Sequence, residues 1–152
     1  MATFISHNPA ATEELGESWG KAVENGLVIG LSGDLGAGKT QLVKGLARGL
    51  GVTERVHSPT FALVNIYTGG RLSLYHLDLY RLDTREQIRS AGLEEYLKPD
   101  GVTVIEWVER WMGAGRQWSV FSVQYSVRKL RLVRFEVLDE AKREITYEDL
   151  GA

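Results

Sequence analysis

Leu27-Val28-Ile29-Gly30-Leu31-Ser32-Gly33-Asp34-Leu35-Gly36-Ala37-Gly38-Lys39-Thr40 decides how this chain folds. Its first six residues are a short apolar run of the kind that forms a buried parallel strand. The last eight satisfy G-x-x-x-x-G-K-[ST], a loop that wraps the phosphates of a nucleoside triphosphate. Its glycines let the backbone turn inward, so that successive N–H groups point at phosphate oxygens. Lys39 is placed to reach the β- and γ-phosphates, and the Thr40 hydroxyl to ligate Mg²⁺. Downstream, Leu42, Val43, Leu46, Ala47 and Leu50 recur at helical spacing, with Lys44 and Arg48 on the other face and Gly51 as a stop. The octet therefore joins a strand to a helix, whose N-terminus adds partial positive charge to the site. A glycine-rich turn without a ligand lacks any need for the lysine and threonine at its end.

Composition bounds the rest. The 152 residues suit one domain, 1–152, with a core that needs no cross-links. With no cysteine there is no disulfide framework, thiolate nucleophile or zinc–thiolate site, which fits a reducing cytoplasm. No apolar run approaches a membrane span, and the first residues lack the basic-then-apolar layout of a signal peptide. A net charge of −2 argues against coating nucleic acid by bulk electrostatics.

Outward from the octet, the pattern alternates strands and helices. Thr3 to Ser6 reads as an edge strand. Asn8 and Pro9 open a helix to about Glu24, striped by Leu15, Trp19, Ala22 and Val23. After the turn residues Ser58-Pro59-Thr60-Phe61, Ala62–Tyr67 and Leu72–Leu77 form a hairpin around Gly69-Gly70. Thr84-Arg85-Glu86-Gln87 is a capping box, opening a helical stretch broken near Gly92 and closed by Pro99. Val102 to Trp107 is a buried strand. Ser119–Tyr125 and Leu130–Val137 alternate as strands, joined by a turn at Ser126, Arg128 and Lys129, and the charged tail after Asp139 is only partly packed. The expected architecture is a single-domain α/β P-loop NTPase fold: a mixed sheet, parallel at its centre and antiparallel at its edges, flanked by helices.

A phosphate-binding loop needs a carboxylate at a neighbouring strand end, to hold or orient Mg²⁺ and its waters. Two strands end in one, at Asp78 and at Glu106. An acid there also commonly marks the return to solvent, so the residues alone leave both as candidates. Ser58-Pro59-Thr60 is ordinary turn chemistry, in a region that can sense a γ-phosphate. His76 reads as a core histidine. Trp107 suits either core filling or a partner contact, and Arg128, Lys129, Arg131 and Arg134 form the densest basic cluster, by default a solvated face.

The octet, followed by Ser58-Pro59-Thr60-Phe61, His76-Leu77-Asp78-Leu79-Tyr80-Arg81 and Glu106-Trp107 in that order, resembles the TsaE family, also called YjeE. The octet is shared by a vast superfamily, whereas S-P-T-[FY], H-x-D-x-Y-R and E-W together are specific. The resemblance spans nearly the whole chain, with the last third alike in layout only. It implies a cytoplasmic ATPase of tRNA threonylcarbamoyladenosine formation that binds ATP and Mg²⁺ and associates with a TsaB–TsaD pair. That pair modifies adenosine 37 of tRNA, so contact with tRNA would be indirect. Hydrolysis would reset the pair between rounds and be slow without it.

By motif, the resemblance assigns nucleotide binding to Gly33, Asp34, Leu35, Gly36, Ala37, Gly38, Lys39 and Thr40, and the metal to Thr40 and Glu106. Asp78 becomes the acid needed for hydrolysis, Lys39 the phosphate cation and Thr60 the switch-like residue. Thr12 and Arg131 fall in regions that border the nucleotide, and Trp107 lies near the partner. Two other classes share the octet: a small-molecule kinase, which needs an acceptor pocket and usually an arginine-rich lid, and a nucleotide-gated binding module that hydrolyses negligibly.

Overall fold

The computed structural model describes residues 1–34, 36–59, 63–113 and 118–151. Seven strands form one sheet: β1 (Ala2–Ser6), β2 (Val28–Ser32), β3 (Val64–Tyr67), β4 (Leu74–Asp78), β5 (Val102–Glu106), β6 (Lys129–Val137) and β7 (Arg143–Gly151). Their order across the sheet is β1-β7-β6-β2-β5-β4-β3. The four central strands β6, β2, β5 and β4 run parallel, and β1, β7 and β3 add antiparallel at the edges, as the sequence predicts. No helix among the described residues is long and apolar enough to cross a membrane.

Strand parity sorts the core. Ile29, Leu31, Val102, Val104, Leu74, Val133, Phe135 and Ile145 face one way, beneath helices α1 (Pro9–Ala22) and α2 (Lys39–Leu50). Val28, Leu77, Ile105, Leu130 and Leu132 face the other way. That side is covered by α3 (Arg85–Ser90), a 3₁₀ turn at Glu94–Leu97, α4 (Glu109–Met112) and α5 (Trp118–Tyr125). Asn8 caps α1, its Oδ1 accepting from the Ala11 amide at 2.8 Å with Pro9 in the first turn, and the Thr84–Gln87 capping box starts α3.

Helices α1 and α2 meet at backbone distance. Gly16 and Gly20 on α1 face Gly45 and Gly49 on α2, and a Cβ built on Gly45 would lie 1.9 Å from the Glu13 carbonyl oxygen. Arg48 of α2 clasps the same pair from outside, with Nε 2.9 Å from Glu17 and an NH group 3.3 Å from Glu13. Gly45→Ala gains about 1 kcal/mol of helix propensity. Overpacking against backbone, which cannot rotate away, costs more. The expected net result is a loss of about 2 kcal/mol or more, read as a lower urea midpoint with an unchanged slope.

Two expectations are corrected. Residues 119–125 are helical rather than a strand, and no hairpin joins them to β6. In so short a stretch Phe121, Val123 and Tyr125 satisfy period two, while Trp118, Phe121 and Tyr125 satisfy the helical period equally. Packing decides: Trp111 lies 5.7 Å from the Phe121 ring and 5.5 Å from Tyr125, so the helix buries its aromatic side and leaves Val120 and Val123 exposed. The tail, in turn, is the full-length strand β7, paired to β6 from Lys129–Gly151 through Val137–Arg143 and to β1 beyond. Its many charges mask the alternation of Ile145, fully buried, with Tyr147, whose ring meets Trp19 at 4.9 Å. The true late hairpin is therefore β6–β7. Smaller differences are a first helix that stops at Ala22 and a strand β3 that begins at Val64, with Ala62 outside the described residues.

Candidate functional site

The parallel centre delivers the C-terminal ends of β2, β5 and β4 to one rim, where open α/β sheets place their ligands. Past β2 the backbone takes positive φ at Gly33 (138°), Gly36 (79°) and Gly38 (100°). A Cβ on Gly33 would sit 2.7 Å from the Phe135 carbonyl oxygen, so this turn needs glycine for space as well as for its torsion. Gly38 stands at the N-cap of α2 without a side-chain cap, leaving the first amides of that helix to an outside acceptor.

Lys39 and Thr40 open α2 and point along the rim. Lys39 is only 4% exposed, and its Nζ donates to the carbonyls of Gly33 (2.5 Å) and Asp34 (3.0 Å) while lying 3.9 Å from the centre of the Trp107 ring. Burial pulls the ammonium below the usual lysine range, opposed by the charges of Glu106, Glu109, Asp78 and Asp34. Trp107 reaches over the lysine because its backbone is left-handed, φ 63°, a strained state for a bulky residue. The Tyr80 ring lies tilted against it, centroids 5.2 Å apart, and the Arg110 guanidinium lies over both rings.

The register of β4 on β5 pairs Asp78 with Glu106, which places both carboxylates side by side on the α2 face. Their environments differ. Glu106 is 3% exposed; the Thr40 hydroxyl donates to its Oε1 and Oε2 at 3.2 and 3.1 Å, and His76 Nε2 lies 2.6 Å from Oε2. Asp78 is half-buried and accepts the Ser58 hydroxyl at 2.7 Å and the Tyr80 amide at 2.9 Å. One acid is thus tied to the helix that carries Thr40, the other to the loop preceding β3.

These groups line a cavity of about 560 Å³. Gly36, Ala37, Gly38, Lys39, Thr40, Asp78, Glu106 and Trp107 are brought together in it, with Thr12, Ser58 and Arg81. Thr12 is buried and shares a 2.7 Å hydrogen bond with Ser6. Gly33 and Asp34 belong to the same loop through their carbonyl bonds to Lys39. Arg131 is not brought there. Its guanidinium pairs with Asp149 at 2.6 and 3.0 Å and lies 4.7 Å from the centre of the Trp19 ring, and that hydrogen bonding holds the Asp149 carboxyl below its usual range. Leu35 and Thr60 lie outside the described residues.

The cavity also has walls that sequence reasoning did not single out. Asn8 and Pro9 reach it from the start of α1, and Glu140, Ala141 and Arg143 from the β6–β7 turn, where Arg143 donates to the Gly36 carbonyl at 3.3 Å. For α1 the signal was present, since a capped helix start facing the loop is legible once the α1–α2 contact is known. For Arg143 no local signal exists, because only the register of β7 on β6 brings it to this rim.

Comparison with known proteins identifies the family. A family model described as threonylcarbamoyl adenosine biosynthesis protein TsaE matches residues 6–135. A tRNA threonylcarbamoyladenosine biosynthesis protein TsaE from Nostoc is 52% identical over 114 residues, 72% of this chain and 70% of that protein. The protein of the same name from Treponema pallidum is 42% identical over 93% of this chain and 96% of its own length. Among solved structures, YdiB of Bacillus subtilis superposes with a TM-score of 0.74 at 28% identity, covering 99% of this chain and 86% of that one. With the matched span running from the end of β1 into β6 and so taking in both Asp78 and Glu106, the chain belongs to the TsaE family.

Proposed function

We propose that the chain, residues 1–152 acting as one domain, is a cytoplasmic Mg²⁺-dependent ATPase. It would serve tRNA threonylcarbamoyladenosine formation at position 37 by acting on a TsaB–TsaD-like complex, and meet tRNA only through that complex. One observation carries this reading: a buried lysine, an uncapped helix start and two differently tethered carboxylates converge on one cavity at the ends of parallel strands. The family membership supplies the pathway.

The residues present fit the nucleotide and its metal. A Cβ on Gly36 would meet nothing within 4 Å, and both Gly36 and Gly38 line the cavity. Thr40 and Glu106 offer hard oxygen donors, the kind that Mg²⁺ accepts one or two at a time beside phosphate and water. When bound, Mg²⁺ offsets the charge that builds on the β- and γ-phosphate oxygens. Everything else falls to the chain. Lys39, already desolvated, exchanges its two carbonyl acceptors for phosphate oxygens, and the first amides of α2 donate to the remaining phosphate oxygens. Asp78 orders the attacking water and takes its proton, since its carboxylate has lone pairs beyond those used by Ser58 and Tyr80. The Ser58 bond connects that acid to the loop running into Thr60, so loop position and acid orientation change together.

Phosphoryl transfer is mostly positioning and charge neutralisation, and a missing cationic finger costs orders of magnitude. Arg81 lines the cavity three residues beyond Asp78. The Tyr80, Trp107 and Arg110 stack at the mouth is the surface on which a partner would close. Phosphate release by the isolated chain is therefore expected to be slow and to rise at least about tenfold with a purified TsaB–TsaD-like complex. Equal rates, at concentrations where binding is independently shown, overturn the coupled mechanism; consumption of ATP only with a small-molecule acceptor points to a kinase instead.

A further inference from the structure

His76 has no place in the chemistry above, yet it occupies a costly position. It lies two residues before Asp78 on β4, on the same face of the sheet and diagonal to Glu106 of β5. The imidazole is fully buried, its Nε2 stands 2.6 Å from Glu106 Oε2, and Nδ1 has no hydrogen-bond partner among the described residues. Toward an ionised carboxylate, which only accepts, this bond runs from an Nε2–H donor. A histidine serving the core alone would satisfy both nitrogens, and on a face flanked by Leu74 and Val104 an aliphatic side chain would cost less. The unpartnered Nδ1 means that the fold tolerates a penalty to keep one donor on Glu106.

That donor has a specific consequence. Among the described residues, Oε2 receives both His76 and the Thr40 hydroxyl, while Oε1 receives only Thr40, at 3.2 Å. We infer that His76 is a positioning residue: by holding Oε2 it fixes the rotation of the Glu106 carboxylate, turns the less occupied Oε1 toward the rim, and so sets the Mg²⁺-dependent part of nucleotide affinity. This rests on the Mg²⁺–nucleotide reading of the site. It assigns His76 no contact with nucleotide or metal.

The test is calorimetric titration of a β,γ-imido ATP analogue, with Mg²⁺ and with EDTA, for the wild type, His76→Leu and His76→Gln. The readout is the ratio of the two affinities, which needs no turnover. His76→Leu keeps the volume and removes the donor, and is expected to lower the ratio about tenfold, the scale of losing an outer-shell partner of a metal ligand. His76→Gln places an amide N–H where Nε2 stood and should restore most of the ratio, with affinity in EDTA unchanged in all three proteins. An unaltered ratio in His76→Leu, an equal loss with and without Mg²⁺, or a glutamine no better than leucine overturns the proposal. Should the leucine protein not fold, His76→Asn replaces it, since its shorter amide cannot reach Oε2 and should behave as leucine would. Ring ¹⁵N spectra of the wild type give a measurement without mutation: an Nδ1–H tautomer overturns the proposal, and Nε2–H supports it. If the wild type itself shows no Mg²⁺ dependence, the metal reading of the site falls and this inference with it; a Mg²⁺-dependent wild type with an indifferent His76 overturns the inference alone.

Discussion

Asp78→Asn is expected to cut ATP hydrolysis by roughly 10²-fold or more, the scale of losing a positioned acid–base group, while leaving the fold and ATP affinity nearly intact. The geometry explains why the substitution is clean. The asparagine oxygen can keep the Tyr80 amide bond, and its NH₂ can donate to the Ser58 hydroxyl, which accepts as readily as it donates. Both tethers survive; only the charge and the proton acceptor are removed. Single-turnover phosphate release, beside a thermal melt and a binding isotherm, separates the two effects. A folded Asp78→Asn protein that retains its rate would transfer the role to Glu106.

Lys39→Ala is expected to weaken ATP binding about 10²- to 10³-fold, about 3–4 kcal/mol, the scale of truncating one partner of a buried charge pair. The ammonium has already lost its water, so its attraction for phosphate is opposed by little further desolvation. Alanine also leaves the Gly33 and Asp34 carbonyls without this donor and removes the cation that lies 3.9 Å from the centre of the Trp107 ring. Acidity offers a second check. Burial lowers the lysine pKa in the free protein, and phosphate binds the protonated form. Affinity should therefore fall as pH rises, starting below the ordinary lysine value of about 10.4. Titration calorimetry reads both effects, and an unchanged affinity in Lys39→Ala removes the phosphate-cradle reading.

Much of this site was legible because its parts are local. Leu27 to Thr40 encodes strand, turn and helix start within fourteen contiguous positions, and the φ values at Gly33, Gly36 and Gly38 are those that only glycine adopts at little cost. Asp78 and Glu106 were legible as acids at strand ends. Their different tethers were not, because these depend on the pairing of β4 with β5 and on where α2 begins. The misread helix at 118–125 and strand at 143–151 share a cause. In the first, two periods fit the same few residues and Trp111 chose between them; in the second, surface charges hid an alternation that β6 and the α1 aromatic Trp19 complete from far away in sequence. Arg131 was carried to the nucleotide by layout alone, whereas Asp149, which β7 lays opposite it in the ladder, engages its guanidinium.

The glycine seam between α1 and α2 makes the two sides of the cavity mechanically unequal. Helices that touch through backbone, with no rotamers to spare, cannot slide or tilt without collision. The phosphate loop, the Thr12 wall and the edge strand β1, which Ser6 ties to Thr12, consequently behave as a stator. The opposite side is joined through side-chain contacts instead, the Ser58–Asp78 hydrogen bond and the ring contacts of Tyr80, Trp107 and Arg110. Any displacement that a bound triphosphate would drive is therefore expected on that side and not across the glycine seam.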